Sequence, residues 1–461
     1  MINLFEYQNK VEAPENFEKL DKFLDGVWKN RDTSGYYFDE SETGKYQKFI
    51  KYLYKNKHIK SNKYVGVIRF EDQKINLLPK IFYDRDINYN DLDDEDPNLN
   101  AIHNHILWWL SYCRKIKFPN YQTALGNQKN DFFEVLIYLF SKYTRELLSS
   151  SIYQQYEEIN KELSFIKGRL NINAYINENL SRGNWHKLNC TYDAFVFDNK
   201  FNRIIKHVTT MLFRASASPD NKRNLREILF ILDEVSEECA TAEECAAISF
   251  NPVFEQFATV RDYCYLFLNN SISFDYKNDL KLFAFLLPME YVFEDFIFGF
   301  IEKEIEEIKA KPQAGSKYLD SGRNFALRPD LILLSQSNKF IADTKYKIVY
   351  SDDKNAKNGI SQTDLYQMLA YAVRFNIDQI FLFYPNTLKD TCEQSGEINI
   401  KDKLADNREI SIKSSRLPII NHSLFEKDDK EDDKKDAKLN DIFEETKKQL
   451  IKKIKDILRL T

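Results

Sequence analysis

The segment RPDLILLSQSNKFIADTKYK, residues 328–347, places two aspartates and a lysine inside what otherwise reads as a pair of apolar strands. If Ser335-Gln336-Ser337-Asn338 forms a tight turn, counting outward puts Asp330 opposite Asp343. Directly opposed residues share one face of a two-stranded ladder, and because side chains alternate, Lys345 lies on that face too. Two facing carboxylates repel each other and call for a compensating charge. Mg²⁺ suits that role, since it prefers carboxylate and carbonyl oxygens and keeps several waters for a phosphate substrate. A lysine beside it orients the attacking water or stabilises charge developing on the phosphate. The outline is a hydrolytic phosphodiester site. An isolated D-x-K triplet is also a common structural Asp–Lys pair at a strand surface, so the surrounding elements must decide.

Those elements are ordered. A long helix, PMEYVFEDFIFGFIEKEIEEI, precedes the hairpin, and the helix SQTDLYQMLAYAVRF and the strand QIFLFYP follow it, so residues 272–425 read as an α/β domain. Residues 1–100 read as a β-rich region in which Val65, Val67, Ile75 and Leu77 alternate around the turn-like EDQK, closed by an acidic, Asn-rich connector over 83–100. Residues 101–271 read as mainly helical with a β insertion; AIHNHILWWLSYCRKI and NDFFEVLIYLFSKYTRELLSSSIYQQY carry apolar residues at three- and four-residue spacings, with Asp131 placed to cap the second. Within that region Gly168-Arg169 marks a bulge or a close backbone approach, and Asp198 with Asn202-Arg203 precedes an amphipathic helix. Residues 426–461 are a mixed-charge linker and a C-terminal amphipathic helix built on Ile442, Phe443, Leu450, Ile454, Ile457 and Leu458. The expected fold class is α+β and multidomain: mainly β at the N-terminus, helical in the centre, α/β towards the C-terminus.

Composition narrows the function classes. A chain of 461 residues, 43% hydrophobic, can fill more than one core. A formal charge of -5 argues against coating nucleic acid by bulk charge and leaves room for a local basic groove. No run of about 18 apolar residues and no leader-like start are present, so a cytoplasmic location without membrane contact is expected. The six cysteines form no CxxC pair and are expected as reduced thiols. His103 and His105 sit two apart on a helix and face different ways, and no Ser-His-Asp signature supports nucleophilic catalysis. Trp108-Trp109 reads as core. No GxxxxGK[ST] loop occurs; SETGKYQ has Tyr46 where Ser or Thr is needed, so no nucleotide is expected on a motif of this chain.

Pro329 before Asp330, the strand-turn-strand setting, Glu294 on the preceding helix and Gln367 on the following one together match the PD-(D/E)xK nuclease pattern. RPDLIL, IADTKYK and TDLYQMLAYA resemble the McrC family, the nuclease subunit of McrBC-type modified-cytosine restriction systems. GRLNIN, NCTYDAFVFDNKFNRIIK and the early YVGVI and INLLPKI resemble that family's upstream segments. The resemblance implies a restriction-endonuclease-like domain in a Mg²⁺-dependent endodeoxyribonuclease, with Mn²⁺ as a possible substitute. It implies Asp330, Asp343 and the backbone carbonyl of Thr344 as metal ligands, and Lys345 acting on the attacking water or the phosphate. Glu294 would be an outer metal or water ligand and Gln367 a residue of the site, with Tyr371 in the core and Lys347 a possible DNA contact. The implied partners are double-stranded DNA and a separate McrB-like AAA+ GTPase hexamer. That ring would read the modified cytosine and be stimulated by this subunit, whose β-rich N-terminal part resembles the portion that inserts into it. Arg169 and Arg203 are candidates to reach its nucleotide. The alternatives are a non-cleaving activator or scaffold of the ring that retains an unused nuclease fold, and a nuclease acting without a ring.

Overall fold

A computed structural model describes the chain except for residues 31–48, 71–72, 88, 90–91, 93–95, 115–131, 276–280, 313–316, 336–337, 349–359, 390–394, 402–408, 426–438 and 460–461. Asp131, Tyr46, Cys392 and the centre of the expected 335–338 turn lie outside the described residues. The chain forms two compact units, Met1–Val135 with Asn270–Thr461, and Leu136–Asn269.

The first unit opens with β1 (Ile2–Phe5), β2 (Val11–Glu12), α1 (Phe17–Asn30), β3 (Ile50–Leu53), β4 (His58–Ser61), β5 (Tyr64–Phe70), β6 (Gln73–Leu78) and α2 (Pro97–Tyr112). After α3 (Phe132–Ser150), the second unit holds β7 (Gln155–Leu163), β8 (Arg169–Leu170), α4 (Ile172–Ala174), β9 (Leu188–Val196), α5 (Lys200–Ala215), α6 (Pro219–Ile231), α7 (Ala242–Ala246) and α8 (Phe257–Asn270). The chain then returns to the first unit with β10 (Ser271–Asp275), β11 (Lys281–Pro288), α9 (Met289–Glu304), β12 (Lys309–Pro312), β13 (Lys317–Tyr318), β14 (Ala326–Leu327), β15 (Leu331–Leu334) and β16 (Lys339–Thr344). It ends with α10 (Gln362–Phe375), β17 (Gln379–Pro385), β18 (Ser395–Lys401), β19 (Glu409–Leu417), α11 (Leu439–Ile442) and α12 (Glu444–Leu458).

One five-stranded sheet has the order β1-β6-β5-β11-β10. The β5–β6 hairpin is antiparallel with Phe70 opposite Gln73, as the alternation of Val65, Val67, Ile75 and Leu77 predicts. β11, expected within the 272–425 α/β region, instead pairs with β5 and puts Leu286 opposite Gly66. α2, expected among the central helices, packs on α9. Gly299 permits that approach, since a Cβ there would lie 1.9 Å from the Tyr112 carbonyl oxygen. Asp295 then accepts the Arg114 backbone N–H at 2.6 Å, just past the end of α2. Trp108 and Trp109 are both buried, and Phe443, at the start of α12, stacks on Trp108 with ring centroids 4.6 Å apart. The C-terminal amphipathic helix therefore finds the surface it needs at the α2–α9 pair, with Lys447 bound to Glu304 at 2.8 Å.

The second sheet is mixed, in the order β12-β15-β16-β17-β19-β18, with β16, β17 and β19 parallel. α10 begins behind the Ser361 cap, connects β16 to β17, and lays Met368, Tyr371, Ala372 and Phe375 on Ile341, Ile380 and Leu382. Among the described residues no helix is long and apolar enough to cross a membrane.

In the second unit β7 and β9 form a long antiparallel ladder with β8 beside β9. Gly168 has φ +69°, and a Cβ there would lie 2.4 Å from the Thr191 carbonyl oxygen, so this is a close backbone approach that only glycine fits. Asn199 caps α5, and Arg203 is held by Asp198 at 2.8 Å and Glu238 at 3.1 Å. Arg203 is thus committed to its own helix start, while Arg169 is exposed.

Candidate active site

β15 and β16 pair in the register counted from the sequence: Leu331 lies opposite Ala342 and Leu334 opposite Lys339, and the Ser335 N–H bonds to the Asn338 carbonyl at 2.9 Å. Asp330, one residue before β15, therefore lies next in that register, opposite Asp343. Its Oδ2 accepts from both the backbone N–H and the hydroxyl of Thr344, at 2.7 and 2.8 Å. Asp343 is fully buried in the parallel centre of the sheet, beside Leu382 of β17. Lys345 forms an ion pair with Asp343 Oδ2 and donates to Gln367 Oε1 at 3.2 Å.

A second layer of bonds fixes this arrangement. The Gln367 amide donates to the Tyr371 hydroxyl at 2.8 Å, and that hydroxyl donates to the Arg328 carbonyl at 2.9 Å, which returns the network to the strand carrying Asp330. The Lys345 backbone N–H bonds to the Phe383 carbonyl at 2.8 Å and continues the sheet past the end of β16. Gln367 and Tyr371 share a helix face because they are four residues apart.

The electrostatics follow from burial. Desolvation, reinforced by the neighbouring Asp330 charge, holds the Asp343 carboxyl well above the usual carboxylate range despite the Lys345 ammonium. Burial pulls Lys345 down, but the Asp343 carboxylate outweighs it and the ammonium ends above its ordinary value. Burial, then Asp343 and Asp330, push the Tyr371 phenol up, so it serves as a neutral donor. Among the described residues neither Asp343 oxygen has a well-formed hydrogen bond; Oδ2 faces the ammonium only as an ion pair. A fully buried carboxylate with an unsatisfied oxygen is costly unless a cation completes it.

Asp330, Asp343, Thr344, Lys345 and Gln367 are thus brought together. Lys347 lies on the same face, bound to Asp364 at 2.9 Å, and its side chain remains 51% exposed. Glu294 is half-buried on α9. The neighbouring Phe293 meets Tyr346 at 5.9 Å, whereas α10 meets Lys345, so the two helices approach alternate side chains of one strand from opposite faces. Sequence reasoning missed Asp364, whose position three residues before Gln367 on one helix face was the available signal. It also missed Tyr346 and its distant neighbours Glu6 and Lys80, for which no local signal exists.

No group of three or more His, Cys, Asp or Glu side chains converges among the described residues. Two carboxylates, one with an unsatisfied buried oxygen, fit a hard, partly hydrated cation such as Mg²⁺ better than an all-protein cage.

Fold and site together define a mixed α/β chain of several sheets with a buried aspartate–lysine site at the end of its central parallel strands. The family model of the McrBC 5-methylcytosine restriction system component matches residues 59–385, and the chain belongs to that family. The resemblance read from RPDLIL, IADTKYK and TDLYQMLAYA is borne out. No curated protein matches the chain. Among solved structures, a chain of the half-complex from the tetradecameric assembly of Thermococcus gammatolerans McrB AAA+ hexamers with bound McrC aligns at TM-score 0.62 and 16% identity, covering 98% of this chain and 99% of that one. A chain of the Thermococcus gammatolerans McrBC complex aligns at TM-score 0.46 and 18% identity, covering 66% of this chain and 87% of that one. At such identity the first likeness is one of fold.

Proposed function

We propose that this chain is the DNA endonuclease subunit of a modification-dependent, type IV McrBC-like restriction system, and that α9, the β15–β16 hairpin, α10 and β17 form its PD-(D/E)xK core. The observation that carries the reading is the buried Asp343 carboxylate, facing Asp330 and Lys345 with an oxygen left unsatisfied. Asp330, Asp343 and the Thr344 carbonyl would hold Mg²⁺, or Mn²⁺ in its place. The ion when bound would polarise a phosphoryl oxygen and offset the paired carboxylates. Lys345, held by Gln367, orients the attacking water and stabilises charge on the phosphate. Glu294 would act from α9 as an outer water ligand, and Lys347 would contact a DNA phosphate by exchanging Asp364 for it.

The proposed partner is a separate McrB-like AAA+ GTPase hexamer that recognises modified double-stranded DNA and is stimulated by this subunit. Support for the contact surface comes from the second unit, where Phe165, Ile166 and Trp185, just beyond the Leu163–Leu188 end of the β7–β9 ladder, are 59, 65 and 70% exposed. Large apolar side chains exposed to this degree mark interaction sites when they cluster. The second unit is accordingly proposed as a ring-facing part beside residues 1–100.

The test is cleavage of modified and unmodified plasmid with Mg²⁺, GTP and the AAA+ subunit, comparing the wild type with Asp343→Ala and Lys345→Ala. Cutting that requires the partner and is lost in both variants supports the reading. A wild type that never cuts yet accelerates GTP hydrolysis leaves a ring activator with an unused nuclease fold.

A further inference from the structure

The strand that carries Asp343 and Lys345 is held at its far end by a group from the other sheet of the same unit. The Lys80 ammonium donates to the Tyr346 carbonyl at 2.7 Å and lies 4.3 Å from the centroid of the Tyr346 ring. Lys80 follows β6, and its own backbone N–H bonds to Glu6 Oε2 at 3.2 Å. Glu6 is fully buried just after β1, and its carboxylate and the buried Tyr346 hydroxyl act on each other. The Glu290 carboxylate on α9 favours the charge on the same ammonium, and the Lys347 ammonium opposes it. Tyr346 is thus gripped by its carbonyl and its ring, between Lys345, which pairs with Asp343, and Lys347, which pairs with Asp364.

We propose that Lys80, seated by Glu6, is a positioning residue that clamps the C-terminal end of β16 and so sets where the Lys345 ammonium lies relative to Asp343. Resting on the nuclease reading, the inference adds to it residues that touch neither metal nor substrate. The physical reason is leverage. Lys345 lies beyond the last regular pairing of β16, where its backbone has one sheet bond to Phe383 and its carbonyl accepts the Lys347 N–H at 2.8 Å. A backbone held by so few bonds needs a tertiary anchor to keep a reacting group within the tolerance that catalysis requires. A half-buried ammonium bound to a carbonyl and an aromatic face supplies one.

The experiment uses the full chain and compares wild type, Lys80→Met and Lys80→Arg. Hydrogen exchange at the Lys345 and Lys347 amides is read without metal, and kcat, DNA KM and the Mg²⁺ midpoint are read with the AAA+ partner. In Lys80→Met exchange at these two amides should quicken at least tenfold while β5, β6, β7 and β9 stay protected. In the same variant kcat should fall by about ten- to a hundredfold with KM unchanged, and Lys80→Arg should recover most of both. Unchanged exchange at the two amides overturns the clamp, as does quickened exchange with unaltered kcat. Exchange that quickens throughout β5 and β6 makes Lys80 a support of the fold alone and also overturns it. If Lys80→Met does not fold, Glu6→Gln takes its place with the same readouts. A wild type that does not cleave removes the nuclease reading, and the exchange experiment still decides whether the clamp exists.

Discussion

Asp330 and Thr344 are joined twice: one carboxylate oxygen accepts both the backbone N–H and the side-chain hydroxyl of the same residue, at 2.7 and 2.8 Å. This pins the orientation of Asp330 next to the buried Asp343. Thr344→Val keeps the shape and the N–H bond and removes the hydroxyl. A hydrogen bond to a charged group contributes about 1.5–3 kcal/mol, so the cleavage rate should fall roughly tenfold or more, with Thr344→Ser near wild type. Single-turnover cleavage of plasmid DNA checks this.

Metal uptake should depend on pH in a defined direction. The Asp343 carboxyl is held above its ordinary value by burial and Asp330, so a divalent cation must displace a proton to bind there. Affinity for Mg²⁺ or Mn²⁺ should rise with pH, by up to about tenfold per unit while Asp343 is protonated. Asp343→Asn should abolish the uptake. Titration calorimetry in buffers of different ionisation enthalpy would reveal the proton release, and its absence would argue against Asp343 as a ligand.

His105 supplies a separate pH signature. Its Nδ1 donates to the Ala101 carbonyl at 2.6 Å and its Nε2 accepts the Asn421 N–H at 2.8 Å, an arrangement that only the neutral ring can make. Burial drives its pKa down to about 3. The unfolded state takes up a proton below about pH 6.5 that the folded state refuses, so this contribution is present above that pH and lost as pH falls. Between pH 7 and 5 it should cost about 2 kcal/mol. His105→Gln should remove that share of the pH dependence in urea unfolding of the first unit.

Much of the site was legible because it is local. Counting outward from Ser335–Asn338 sets the β15–β16 register, and the register alone brings Asp330 to Asp343 and turns Lys345 to the same face. α10 was equally readable, since Ser361 caps it and Gln367 and Tyr371 repeat at helical spacing. Glu294 shows where this stops. Helical periodicity gives its place on α9 but not the layer from which α9 approaches, and α9 meets Tyr346 while α10 meets Lys345. The pairing of β11 with β5 and the grip of Lys80 on Tyr346 join segments remote in sequence. No local pattern encodes such contacts; they follow from which apolar faces find each other.

Lys347 separates a structural ion pair from a DNA contact. Its ammonium is half in solvent but its partner Asp364 is buried, so the pair contributes to stability, whereas a phosphate contact would show in the salt dependence of binding. If it exchanges Asp364 for a phosphate, Lys347→Ala should reduce the slope of log affinity against log salt by about 1. The same variant should lower the melting temperature, because Asp364 stays buried without its cation. An unchanged slope would assign Lys347 to Asp364 alone.

The exposed apolar side chains of the second unit set the last expectation. Ile166 and Trp185 are 65 and 70% exposed, so replacing them removes little packing within the chain. Ile166→Ser with Trp185→Ser should therefore leave the isolated protein as stable as the wild type, because surface substitutions away from specific contacts stay within about 0.5 kcal/mol. If this surface meets the AAA+ ring, truncating buried aromatic and aliphatic anchors should cost about 2 kcal/mol or more of association. That predicts at least a tenfold weaker complex by sedimentation and a matching loss of GTPase stimulation at limiting subunit. DNA cleavage should fall with it and recover when the concentration of the variant is raised. Full-strength association would instead move the ring-facing surface to another part of the chain.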